Sequence, residues 1–146
     1  MQEKENYTGE RKMIEKKEDK EEKKIMSYQE TMEYVDSLQV YGSVPGLTNI
    51  RNLCEKLDNP QKDLKFVHIA GTNGKGSVLC LVSEVLKEAG YVTGRYVSPT
   101  IFDYRERIQI NGRMITKKDL CIYMTRLKEV CLQLAEEGKP HPTPFE

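Results

Sequence analysis

The chain has 146 residues, with 23 basic and 23 acidic side chains and a formal net charge of zero. That length supports one domain with a real core, and the balanced charge gives no electrostatic ground for a nucleic-acid or acidic-membrane partner. No apolar run approaches a membrane span and the N-terminus is too charged for a signal peptide, so a cytoplasmic location is expected.

Between Glu3 and Lys24 stand eight acidic and eight basic residues and almost nothing apolar. Like charges fall four apart at Lys12/Lys16, Glu15/Asp19, Lys16/Lys20, Glu18/Glu22 and Lys20/Lys24, which opposes a helix. With no face to bury, residues 1–25 are expected to be a disordered charged tail.

From Ser27 the pattern changes. Ser27 and Glu30 have capping-box spacing, and Met32, Val35 and Leu38 recur at helical intervals, so a helix is predicted over about 28–39. Beyond a turn at 41–46, Leu47, Ile50, Leu53, Cys54 and Leu57 mark a second helix, stopped at Asn59-Pro60. The run FVHIA (66–70) suits a buried strand. The run SVLCLVSEVLKEAG (77–90) predicts a helix over about 76–89, apolar on more than one side and therefore well buried. Residues 91–98 are β-branched and aromatic and read as the next strand. Strand, helix and strand make a βαβ unit, with parallel strands and a right-handed crossover. Ligands bind such sheets at the carboxyl ends of the strands, which brings Ser98 and Pro99 to the same rim as the loop after residue 70.

Residues 107–110 alternate and meet Asn111-Gly112, a hairpin signal. Thr116 and Asp119 start a helix whose buried stripe is Leu120, Met124, Leu127, Cys131 and Leu134, with Gly138 just past its end. Residues 139–144 form a proline-rich loop, and Thr143-x-x-Glu146 with Pro144 has the form of a new helix start. With at most two strands in the sheet, the domain is expected to be unfinished at Glu146. Cys54, Cys80, Cys121 and Cys131 show no C-x-x-C spacing. They read as reduced thiols, Cys80 and Cys131 buried within apolar helical patterns.

Between the first strand and its helix stands AGTNGKGS, residues 70–77. A glycine-rich turn at a helix N-terminus exposes backbone N–H groups where the helix dipole is positive, a ready phosphate site. Gly71, Thr72, Asn73, Gly74 and Gly76 allow close backbone approach, Lys75 can reach a β- or γ-phosphate, and Ser77 adds a hydroxyl. The string differs from the usual P-loop: Ile69 stands where its first glycine would be, and Gly76 separates Lys75 from Ser77.

The run HIAGTNGKGSV resembles the nucleotide loop of folylpolyglutamate and dihydrofolate synthases, within the Mur-ligase superfamily. PGLTNIRNLCEKLDNPQ (45–61), YVSPTIFDYRERIQINGRMI (96–115) and PTPFE (142–146) resemble further stretches of that family. The resemblance implies an α/β, P-loop-containing parallel-sheet ATPase domain, with 26–146 its N-terminal part, truncated at the C-terminus. It implies an ATP- and Mg2+-dependent ligase that joins L-glutamate to dihydropteroate or folates through an acyl phosphate, a monomer when full length. Lys75 would be catalytic, with Gly71, Thr72, Asn73, Gly74, Gly76 and Ser77 binding ATP. Ser98 matches the serine of a Ser-Pro motif at the magnesium site, and Thr143 and Phe145 match positions lining a pterin pocket. Thr100 replaces a histidine common in the family. The family's remaining metal ligands lie past Glu146, so the 146 residues alone are expected to be inactive. On the loop alone, a P-loop phosphotransferase or NTPase, or a non-catalytic nucleotide-binding fragment, stays open.

Overall fold

The computed structural model describes residues 24–146; the expected tail lies outside them except for Lys24 and Ile25. In chain order come α1 (Tyr28–Ser37), a 3-10 turn (Leu38–Tyr41), α2 (Thr48–Lys56), a 3-10 turn (Pro60–Asp63) and α3 (Lys75–Glu88). Then follow β1 (Gly94–Tyr96), a 3-10 turn (Tyr104–Arg107), β2 (Ile108–Ile110), β3 (Arg113–Met114) and α4 (Lys117–Glu136).

The core is built on α4. Thr116 caps it, its hydroxyl accepting from the Asp119 N–H at 3.0 Å and donating to the Asp119 carboxylate at 2.7 Å. Its N-terminal half buries Leu120 and Met124 against Val35 of α1, with Met26, Tyr28, Tyr104, Ile108 and Ile115 around them. Its C-terminal half buries Val130, Cys131 and Leu134 against Leu53 of α2, flanked by Ile50 and Leu57. Leu127 packs on both clusters.

The expected capping box starts α1: Ser27 Oγ accepts from Glu30 N at 3.2 Å, and the Glu30 carboxylate accepts from Ser27 N at 2.7 Å. Met26 N donates to Thr125 Oγ1 at 3.0 Å and ties this end of α1 to the middle of α4. The hairpin also forms as read. Asn111 and Gly112 both take left-handed backbone, φ 48° and 75°, as a type I′ turn requires.

At the level of strands and burial the structure departs from the sequence reading. The sheet has the order β1-β2-β3 and is antiparallel throughout, Gly94 facing Ile110 and Gln109 facing Met114. No parallel partner stands beside β1 among the described residues. The β2 edge is reached through the 11-residue connection 97–107, so its loop-closure cost is modest. Residues 66–70 join no ladder, and Phe66 and Val67 are exposed. An apolar run becomes a buried strand only when neighbours flank and cover it. Likewise α3 buries only Ser83, leaving Val78, Leu81 and Val85 exposed, because the described residues put a layer on one side of it alone. Cys80 on α3 is exposed too, whereas Cys121 and Cys131 are buried; all four thiols are free. Residues 143–146 form a turn and not a helix.

Leu134, with no exposed surface, tests where the core lies. Leu134→Ala should cost about 2–5 kcal/mol in urea unfolding. Leu81→Ala, on the uncovered face of α3, should stay within about 0.5 kcal/mol.

Candidate functional site

The glycine loop leads into α3 through Gly74, which sits at the N-cap with φ 75° and no side-chain cap on the helix. That backbone state is strained for a residue with a Cβ, which accounts for glycine there. The first N–H groups of α3 therefore lack a side-chain acceptor and stand at the positive end of the helix. A Cβ added at Gly76 would meet nothing within 4 Å, so the first turn opens to free space. Lys75 folds back over its own loop: Nζ donates to Gly71 O at 2.6 Å and to Thr72 O at 3.3 Å. These acceptors are neutral carbonyls. A phosphate oxygen carries charge and makes a stronger partner for the ammonium group.

Ser98 follows the end of β1 and joins Pro99 by a cis peptide. Its hydroxyl is unengaged, and no hydrogen bond or ion pair joins it to 71–77 among the described residues. The segment after it is organised by two acids, Asp103 and Glu106. Glu106 accepts from the backbone N–H groups of Ile101, Phe102 and Asp103 at 2.7, 3.0 and 3.1 Å. These bonds, led by that from Ile101, hold its carboxyl below the usual range. Asp103 caps the same turn and takes Arg105 in a bidentate pair, with Nη2 to Oδ2 at 2.7 Å, while Tyr28 OH donates to it at 3.3 Å. The Arg105 bonds pull the Asp103 carboxyl down to about 2. Asp103-x-x-Glu106 is itself a capping-box spacing, and this was the signal that could have found the pair.

Thr143 is buried, and its hydroxyl accepts from Phe145 N at 3.2 Å, while the Phe145 ring stands 80% exposed. Glu146 returns its carboxylate to Thr143 N at 2.5 Å, a local capping arrangement. Nearby in the chain, His141 stacks on Tyr41 at 3.9 Å. Pro140, Val44, Pro45, Gly46, Thr48 and Asn49 line a hollow of about 250 Å³. Asn49 is 5% exposed and its Nδ2 lacks a partner, a feature that sequence alone does not reveal.

Among the described residues no cluster of three or more His, Cys, Asp or Glu could hold a metal ion. No helix among them is long and apolar enough to cross a membrane.

No protein-family profile matches the chain. It is 33% identical over 120 residues to the dihydrofolate synthase/folylpolyglutamate synthase of Bacillus subtilis, covering 82% of this chain and 28% of that protein. It is 36% identical over 115 residues to a probable bifunctional folylpolyglutamate synthase/dihydropteroate synthase of Haloferax volcanii, covering 79% and 14%. Among solved structures, the folylpolyglutamate synthetase of Lactobacillus casei matches with TM-score 0.75 and 30% identity, over 82% of this chain and 30% of that one. A folylpolyglutamate synthase in complex with AMPPCP and folate matches equally well, at TM-score 0.75, 30% identity and the same coverage. The Mycobacterium tuberculosis enzyme complexed with ADP and AMPPCP matches with TM-score 0.70 and 28% identity, over 82% and 27%. The chain thus spans less than a third of the relatives it matches. The α/β fold of Mur-ligase type that the sequence resembles is the fold of these structures.

The Asp103 carboxyl offers a check on the turn beside Ser98. Its folded value, about 2, lies below the ordinary 3.8, so its stabilisation is present above 3.8 and is lost as the pH falls toward about 2. Asp103→Asn should be less stable than the parent chain at pH 6. The gap should close between about pH 4 and pH 2, measured by urea unfolding across a pH series.

Proposed function

We infer, for a chain that belongs to the folylpolyglutamate/dihydrofolate synthase family and spans part of its length, that it supplies the phosphate-binding part of an ATP-dependent glutamate ligase. The observation that carries this reading is the uncapped glycine loop, with Lys75 lying across its carbonyls. It sits on a backbone that matches a folylpolyglutamate synthase held with AMPPCP and folate.

The N–H groups of 71–77 bind the phosphates of ATP, and Lys75 exchanges its loop carbonyls for β- and γ-phosphate oxygens. Ser77 donates a hydrogen bond to phosphate. A carboxylate of dihydropteroate or a folate attacks the γ-phosphorus, giving an acyl phosphate and ADP. The amino group of glutamate then attacks the acyl carbon. Phosphate leaves, the amine loses a proton, and an amide remains. The chain's part in this is charge neutralisation and alignment of the moving phosphoryl group. Residues 26–146 act as part of the ATP-binding domain, and the partners are small molecules. The free thiols support a cytoplasmic setting.

Ser98 is the residue fitted to magnesium. Its hydroxyl is a hard oxygen donor with no hydrogen-bond partner among the described residues, suited to one place around an ion whose other ligands are waters and phosphate oxygens. When bound, the ion would neutralise charge on the transferring phosphoryl group. Thr143 and Phe145 serve the pterin: the buried threonine hydroxyl orients the Phe145 backbone, and the exposed ring is free to stack on a flat heterocycle.

In a full-length protein carrying this chain, Lys75→Ala should cut ATP- and glutamate-dependent phosphate release by about 10- to 100-fold, from loss of a charge-assisted phosphate contact, with the circular-dichroism spectrum unchanged. Near-parental turnover at saturating ATP would overturn the assignment. Phosphate release that needs no glutamate would point to an NTPase instead.

A further inference from the structure

We propose that Glu106 is a positioning residue for Ser98, its carboxylate fixing the loop that carries the Ser98 hydroxyl. The proposal rests on the reading above that Ser98 serves the magnesium–phosphate site.

The loop from 97 to 107 is a closed ring anchored at both ends to one short stretch of backbone. Val97 N donates to Arg107 O at 3.0 Å. The next residue, Glu106, gathers the N–H groups of Ile101, Phe102 and Asp103 on one carboxylate. Only residues 98–100 lie between the two anchors, so the freedom of Ser98 is what these two contacts leave it. Packing does not substitute for them. Ile101 and Phe102 at the loop tip are 78% and 93% exposed and contribute no burial that would hold the backbone. The polar anchor is in turn tied to the core: Asp103 accepts from Tyr28 OH, and Tyr28 packs on the cluster of Val35, Leu120 and Met124. A carboxylate with two oxygens suits this task because it accepts all three donors with charge-assisted bonds. An amide would turn one accepting oxygen into an NH2 donor facing a backbone N–H.

The test measures AMPPCP affinity by calorimetry across a magnesium series, for a full-length protein carrying this chain and for its Glu106→Gln, Glu106→Asp and Ser98→Ala variants. Glu106→Gln should raise the magnesium concentration at half-maximal effect by about tenfold, the order of one lost charge-assisted bond. Its affinity for AMPPCP without magnesium should stay at the parental value. Glu106→Asp keeps the charge on a shorter arm and should fall between, and it replaces the glutamine variant should that fail to fold. An equal loss of affinity with and without magnesium would make Glu106 a general structural residue and overturn the proposal. If Ser98→Ala shifts the magnesium midpoint and the Glu106 variants do not, the proposal fails while the reading of Ser98 stands. If Ser98→Ala leaves the midpoint in place, or the full-length parent shows no magnesium-dependent AMPPCP binding, the reading of Ser98 fails and the proposal with it.

Discussion

Leu127 of α4 touches both apolar clusters, the one shared with α1 and the one shared with α2, and that shared burial along a single helix holds the described residues together. Each fully buried aliphatic side chain is worth about 1.5–3 kcal/mol of transfer free energy. The six buried residues of α4 therefore outweigh any single surface ion pair. The cap at Thr116 and the Met26–Thr125 bond set where α4 starts and where α1 lies on it. The hairpin enters the same cluster through Ile108 and Ile115, and the turn before it through Tyr104.

The glycine loop stands apart from that core. Its helix, α3, is tied to the sheet by Arg95, whose guanidinium donates to Ser83 Oγ at 3.3 Å and to Gln109 Oε1 at 2.5 Å. The rest of α3's apolar surface is open. The first turn of α3 opens to free space at Gly76. The loop's shape comes from backbone conformation at glycine and from the lysine's own carbonyl contacts, so it does not need a packed surround. The Ser98 segment uses a different device, with carboxylates gathering backbone donors in place of side-chain packing. Both segments are polar constructions joined to the core through few points.

Much of this was legible in the residues. Ser27/Glu30 and Thr116/Asp119 announced two helix starts, because capping depends only on side chains within one turn of the cap. Asn111-Gly112 announced the hairpin, because few residues tolerate two left-handed backbones in succession. The glycine at the start of α3 was legible for the same local reason, its N-cap backbone being left-handed. The Glu106 nest was half legible: Asp103 and Glu106 have the spacing, yet the two further N–H groups arrive from a chain reversal that spacing does not encode.

What the sequence by itself determined is therefore the set of features written within one turn of helix or one tight turn: the helices and their caps, the hairpin, the glycine loop and the kinship those strings carry. Only the tertiary structure decided which apolar runs are covered. Residues 66–70 and the helix after them are apolar enough for a sheet interior, yet they stand open among the described residues, while α4, no more hydrophobic to the eye, is the core. Periodicity records that a face can be buried. Burial itself depends on whether another layer arrives to cover that face, and that is a property of distant residues and not of the segment.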